Sequence, residues 1–432
     1  MNGCPEAMRA RIAALALALA LVFWSAQAWA AELSELDALI EAALENNHEL
    51  SLARSGLAAA AERPSQAMAL PDPMFMFGYQ NEGYDEYTFG EMEGAQWMFG
   101  LSQMIPYPGK LGSRGAMAME DAAALGLAYE AARIEVKRTV KELYFDLFLA
   151  HKSRDILESR RAILDKLEKT ALSRYSTGMS SQSEVVMLQG EKYMLMEGLV
   201  MLRQRQEAAE AGLNAVLDRD LGTPVPRPSA LRRTEFSATV DELLASIGQT
   251  PAVGEKERMK AAALASHRMA GLEYYPDVTL AANLYKRDGE FEDMMSVTAT
   301  VNIPVFYRSK QRAAVREAGA RVELADHEIY AVSRMIEADL REMLAMAEAS
   351  ENLMRLYEDA LIVKTRQGVE AGVAAYTSGK GELMLILRNL ETLKTYEQAY
   401  WDEFVRREKT IARIEALTAS STDTGTRGEG TR

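Results

Sequence analysis

MSVTATVNIPVFYRSKQR, residues 295–312, changes its period in mid-course. Val297, Ala299, Val301 and Ile303 alternate with Ser296, Thr298, Thr300 and Asn302. One apolar and one polar face at a spacing of two predict a β-strand. The alternation stops at Ile303–Pro304, since proline cannot donate to a ladder, and a basic stretch then opens an alanine-rich run. QWMFGLSQMIPYPGKLGSR, residues 96–114, behaves the same way. Trp97, Phe99, Leu101 and Ile105 alternate with Met98, Gly100, Ser102 and Met104 before Pro106 and a basic exit. Each strand has a partner before it, MFMFGYQ (74–80) and DVTLAANLY (277–285), across the polar, acidic turns NEGYDEYTFGEMEG (81–94) and KRDGEFED (286–293). Strands of about 9–11 residues suit a membrane barrel. The basic exits fit helix starts below a membrane surface, with a solvated charge cluster as the simpler reading.

No proline falls between residues 109 and 223, and none follows Pro304. Proline breaks helix interiors, so long helices are predicted from about Leu111 to Arg174 and from about Ser309 to Glu370. At 1.5 Å per residue each is roughly 90–100 Å long. Such helices persist only by packing along their length. Leu157, Leu164 and Ala171 recur every seventh residue beside Ile156 and Ile163, and Val136, Val140, Leu143 and Leu147 form an earlier stripe. Arg154, Arg161 and Glu168 interrupt a strict seam, which predicts a bundle wall over a two-stranded zipper. Alanine is dense over 116–132 and 313–331, so neighbouring backbones can approach closely.

The long helices end in two versions of one turn, RYSTGMSSQSEVVMLQ (174–189) and AYTSGKGELMLILRNL (375–390). Each leads into a second helix, about 182–218 and 382–416. Gly178 and Gly379 suit the left-handed position that closes a helix. Ser181 with Glu184 makes a capping box for the next helix; the second copy carries Gly381 and Glu382 instead. The chain is thus a tandem repeat of helix, strand, strand, long helix, tip and helix. The first repeat covers 31–223, a proline-rich linker 224–236, and the second repeat 237–417. The polar tail 418–432 has the composition of a disordered segment. Residues 1–30 read as a secretory signal peptide: Arg9 and Arg11 precede an apolar run at 12–24, and Ala28 and Ala30 fit the cleavage rule. The only cysteine, Cys4, would leave with it.

Of the 432 residues, 26% are charged and 48% hydrophobic, which excludes a disordered chain. A net charge of −14 argues against nucleic acid as a partner. His48, His151, His267 and His327 lack metal-ligand neighbours at helical spacing, apart from acids such as Glu323. Thioethers suit Cu(I), but Met74, Met76, Met98 and Met104 read first as core or lumen filler. Phosphate loops, nucleophile elbows and zinc-hydrolase spacings are absent, so no enzyme, cofactor or metal site is expected.

Four strands cannot close a barrel alone, and open edges in lipid leave backbone groups unpaired at several kcal/mol each. Two copies would give eight strands with a filled interior, and three copies twelve with a lumen; the polar strand faces favour the lumen. This arrangement resembles the TolC-like outer-membrane efflux channel family over nearly all of the chain beyond the signal peptide. The resemblance rests on the duplicated unit, on YSTGMSSQSEVV and YTSGKGELMLIL, and on LSQMIPYPGKLGSR and TVNIPVFYRSKQR. It implies a mainly α fold with a membrane β-barrel: a homotrimer whose 12-stranded barrel sits in outer-membrane lipid and continues as an α-helical tunnel in the periplasm. It further implies docking to a periplasmic adaptor and an inner-membrane pump. LSQMIPYPGKLGSR is most similar to the branch serving heavy-metal exporters of the resistance-nodulation-division class. By match, adaptor contact falls to Thr177, Gly178, Met179 and Ser180 and to Ser378, Gly379 and Lys380, with Tyr175 and Tyr376 bracing them. The glycines also terminate helices, a role compatible with contact. Leu385 and Arg388 stand where the family often has entrance acids. Glu184, Glu370, Glu382 and Arg388 are therefore the entrance candidates, with a latch between Arg388 and Glu370. An exit duct for type I protein secretion and a periplasmic coiled-coil structural or adaptor protein are the alternatives.

Overall fold

The computed structural model describes residues 35–228 and 231–418. The signal peptide with Cys4, and the tail beyond Thr418, lie outside the described residues. Three short helices, α1 (Glu35–Asn46), α2 (His48–Ala61) and α3 (Arg63–Met68), lead into strands β1 (Met74–Gln80) and β2 (Gln96–Ile105). Helix α4 (Lys110–Ser176) runs for 67 residues, and α5 (Gln182–Val216) follows the first tip. The second half repeats the order with α6 (Val240–Ser246), α7 (Pro251–Leu272), β3 (Val278–Lys286), β4 (Met294–Val301), α8 (Gln311–Leu356), α9 (Ile362–Thr377) and α10 (Leu383–Thr418). No described helix is long and apolar enough to cross a membrane.

The described residues form two compact units, each drawing on both halves of the sequence. One comprises 35–47, 136–234 and 346–412. Its core keeps the seven-residue spacing on several helices: Leu157, Leu164 and Ala171 on α4, Leu188, Leu195 and Leu202 on α5, and Leu383 and Leu390 on α10. A second cluster packs Tyr144, Phe145 and Phe148 against Met354, Phe404 and Val405. One expectation changes here. The second long helix is interrupted by a π turn, Tyr357–Leu361, and then continues through α9 to Thr377. The wide turn accompanies a Glu358–Arg233 ion pair and a Tyr357–Tyr396 ring contact; proline's absence permits a helix but does not set its pitch. The linker is irregular but tethered. Arg227 pairs with Asp155 at 2.5 Å, Leu231 packs on the aromatic cluster, and the Thr234 hydroxyl donates to Glu408 at 2.5 Å.

The other unit comprises 48–135, 235–345 and 413–418 and carries the sheet. The strands lie in the order β1-β2-β3-β4, all antiparallel. Phe75, Leu101, Ala282 and Val297 share one row, and Phe77, Phe99, Leu284 and Met295 the next. Successive side chains point to opposite faces. The rows between them hold Met76, Gly100, Asn283 and Ser296, and Met74, Ser102, Ala281 and Thr298. One face is therefore mainly aromatic and aliphatic, with Gln103 and Lys286 also on it, and the other is small, polar and methionine-bearing. The apolar face is open to solvent in a single chain, with Phe75 69% and Val297 72% exposed. Near the sheet, α3 and α4 approach so closely that a Cβ on Gly115 would lie 2.3 Å from Met68 Cγ.

The basic residue after β2 is not solvated. Lys110 is buried and its ammonium meets Asp277 at 2.9 Å, Glu273 at 3.5 Å and the Tyr275 carbonyl at 3.1 Å. Asp277 also accepts the Tyr107 N–H at 2.7 Å. The carboxylate thus ties the end of β2 to the start of β3. Removing one partner of a buried pair strands the other. Lys110→Met is expected to lower stability by about 2–4 kcal/mol, and Lys310→Met, on an exposed residue, by less than about 0.5 kcal/mol. Denaturant unfolding of the detergent-solubilised variants measures both.

Candidate docking site at the helical tips

Both tips close by the same backbone device. Gly178 has φ +72° and Gly379 φ +83°, the left-handed region that a side chain disfavours. Gly178 N–H donates to the Tyr175 carbonyl at 3.0 Å and Met179 N–H to the Arg174 carbonyl at 2.8 Å. Gly379 and Lys380 repeat this with the Tyr376 and Ala375 carbonyls at 3.0 and 2.9 Å. These paired bonds form the helix-ending motif that places glycine just past the last turn. Small hydroxyls finish the turns: Thr177 donates to the Arg174 carbonyl at 3.0 Å and Ser378 to the Ala375 carbonyl at 3.0 Å. A Cβ on either Gly178 or Gly379 would meet nothing within 4 Å, so both glycines face open space.

The two tyrosines differ. Tyr376 is fully buried in the leucine core, while Tyr175 is half exposed. Tyr376 alone braces the tips. Its hydroxyl donates to Glu184 Oε2 at 2.6 Å, and the Ser180 hydroxyl donates to the same oxygen at 2.7 Å. The expected Ser181–Glu184 capping box does not form, because that carboxylate is taken by Ser180 and Tyr376; the Ser181 hydroxyl meets Ser183 instead. A capping box forms at Thr239 and Glu242, at the start of α6. Arg174, which the sequence reading passed over, completes the brace. Its guanidinium lies 4.7 Å from the Tyr376 ring centre and donates to the Tyr376 carbonyl at 3.1 Å and the Met179 carbonyl at 3.3 Å. A cation over an aromatic face beside a carboxylate six residues past a turn glycine is not visible as spacing, since the partners lie about two hundred residues apart. Gly381 is required next to the brace: a Cβ there would lie 2.7 Å from the Tyr376 nitrogen.

Hydrogen bonds from Ser180 and Tyr376 hold the Glu184 carboxyl below its ordinary pKa. Burial, then the same carboxylate, push the Tyr376 hydroxyl up to about 12. Of the entrance candidates, Glu184 is thus committed to the brace. Glu370, Glu382 and Arg388 are exposed, and Arg388 forms no ion pair with Glu370 among the described residues. Leu385 and Met384 are exposed beside them, as is Met179 on the first tip. Farther along the same unit, buried Arg160 joins α4 to Glu191 on α5 at 2.8 Å and to Glu391 on α10. A groove of about 650 Å³ runs beside it, lined by Lys152, Arg366, Glu370, Lys394, Glu397 and Trp401 among others.

Comparison with known proteins agrees with this architecture. The sequence model of the outer membrane efflux protein family matches residues 39–219 and 246–419. The pyoverdine export outer membrane protein OpmQ of Pseudomonas putida is 24% identical over 385 residues, covering 83% of this chain and 80% of its own. The outer membrane protein VceC of Vibrio cholerae has a TM-score of 0.76 at 15% identity, over 90% of this chain and 97% of its own. CusC has a TM-score of 0.77 at 16% identity, over 89% and 92%.

A depressed carboxyl pKa stabilises the fold above the ordinary carboxylate range, and that contribution is lost as pH falls through the depressed value. The thermal stability of the wild type should therefore fall on acidification below that range, and that of Glu184→Gln should fall less over the same interval, as read by melting temperature. Tyr376→Phe removes a hydrogen bond to a charged acceptor and is expected to cost about 1.5–3 kcal/mol.

Proposed function

Because this chain belongs to the outer membrane efflux protein family, we propose that three copies close a twelve-stranded barrel, continued by a helical tunnel, as the passive exit duct of a tripartite pump. The chain is an outer-membrane efflux protein and not an enzyme. The observation that carries the trimeric reading is the sheet itself. It has one exposed, largely apolar face and two edge strands, β1 and β4, that no described element covers. Hydrocarbon does not tolerate open sheet edges. A soluble coiled-coil adaptor would have no use for such a face, which disfavours that alternative.

The tips are the docking surface for a periplasmic adaptor in this proposal. Thr177, Gly178, Met179, Ser180, Ser378, Gly379 and Lys380 line two adjacent turns that are exposed but rigidly held by Tyr376, Arg174 and Glu184. Glu370, Glu382 and Arg388 are the proposed entrance residues. With Leu385 and Arg388 at the positions where acids were expected, the entrance is not a purely acidic ring. The inner-membrane partner is proposed to be a pump of the resistance-nodulation-division class. Heavy-metal cations are the proposed cargo, on the strength of the LSQMIPYPGKLGSR resemblance. Loss of the chain from its host should then raise sensitivity to metal salts, and complementation should restore it. Unchanged metal sensitivity with impaired export of a protein or a small organic molecule would overturn the cargo assignment.

Gly379→Val forces a β-branched residue to positive φ, at about 1–2 kcal/mol of local strain. It is expected to abolish complementation and adaptor cross-linking while leaving the assembled channel in the outer membrane. Met179→Glu, at a 72% exposed site, should leave stability unchanged and reduce adaptor co-purification at least tenfold.

A further inference from the structure

The two hairpins share one register. With the strand exits Ile105–Pro106 and Ile303–Pro304 aligned, Phe75 opposite Leu101 in the first hairpin matches Leu280 opposite Ala299 in the second. Counting from these pairs, Asp72 takes the place of Asp277, Val305 that of Tyr107, and Arg308 that of Lys110. At the junction between the hairpins, Asp277 accepts the Tyr107 N–H at 2.7 Å and Lys110 at 2.9 Å. The corresponding groups exist at the outer edges of the sheet, and none is matched there. Asp72 is exposed and pairs with no described residue. The Val305 N–H turns back on the Ile303 carbonyl at 2.9 Å, a tight three-residue turn. Arg308 is exposed, with its guanidinium 5.8 Å from the ring of its own neighbour Tyr307. Asp72 stands at the β1 edge, and Val305 and Arg308 stand at the β4 edge, so one chain cannot join them.

We propose, resting on the trimeric reading above, that Asp72 of each protomer accepts the Val305 N–H of its neighbour and pairs with Arg308 there. This clamp sets β4 against β1 of the partner subunit in the register that β2 holds against β3. Gln103 opposite Leu280 becomes Val301 opposite the partner subunit's Phe75, and Met98 opposite Tyr285 becomes Ser296 opposite the partner subunit's Gln80. The faces provide an independent check. Val301 and Phe75 both belong to the apolar face, and Ser296 and Gln80 both to the polar one. A slip of one residue would set apolar against polar at every position. The occupant of both edges is therefore a second copy of this chain, selected by an acid on one edge and a base on the other.

Cysteine pairs test the clamp in the full-length protein, whose only native cysteine is Cys4. Asp72→Cys with Val305→Cys, treated in outer membranes with a short bis-methanethiosulfonate, should yield covalent dimers and trimers on non-reducing gels. Neither single variant should do so. Asp277→Cys with Tyr107→Cys reproduces the template geometry and should cross-link only within one chain. Native mass spectrometry of the same samples separates the two readings. A trimer without the ladder overturns the clamp and leaves the trimer standing, and a monomer overturns both.

Discussion

A peptide group in hydrocarbon has no water to fall back on, and this constraint organises the protein from the sheet outward. Four strands with alternating faces satisfy their inner backbone groups and leave the outer rows of β1 and β4 open. The Asp277 carboxylate shows how the chain handles a junction between hairpins. A strand ends at proline, the next amide turns toward an acid, and a buried lysine neutralises it. Burial raises the cost of that carboxylate's charge, and the Tyr107 amide and Lys110 outweigh it, holding the group below its ordinary pKa. The crossing from β2 to α4 thus becomes a fixed corner.

At the helical tips the constraint is geometric. Two helix-ending turns of identical backbone design stand side by side, yet only one carries a buried tyrosine. The asymmetry divides labour between the copies. The second tip supplies the ring and hydroxyl, and the first supplies the arginine above the ring and the carboxylate that receives the hydroxyl. Two turns of one backbone design thus serve as the two halves of one contact.

Much of this was legible in the chain. The first hairpin's strands fall where period-two alternation broken at Ile105–Pro106 places them, whereas β4 closes at Val301, ahead of the expected break at Ile303–Pro304. The absence of proline revealed the long helices, and Tyr-x-x-Gly revealed the tips. What stayed hidden depends on partners far away in sequence. Lys110 looks like any basic residue after a strand until Asp277 is placed beside it. Glu184 looks like a capping residue until a buried Tyr376 hydroxyl claims it. Arg174 had no local pattern at all. The π turn at Tyr357–Leu361 was invisible because helix pitch leaves no mark on composition.

The composition of the compact units bears on how the polypeptide reaches its native state. Leu36 and Leu39, near the beginning, lie against the cluster that holds Tyr400, Trp401 and Phe404, near the end. Contacts of such long sequence separation form late, after the cost of loop closure has been met. The unit that holds this cluster is therefore completed only once α10 is available to it.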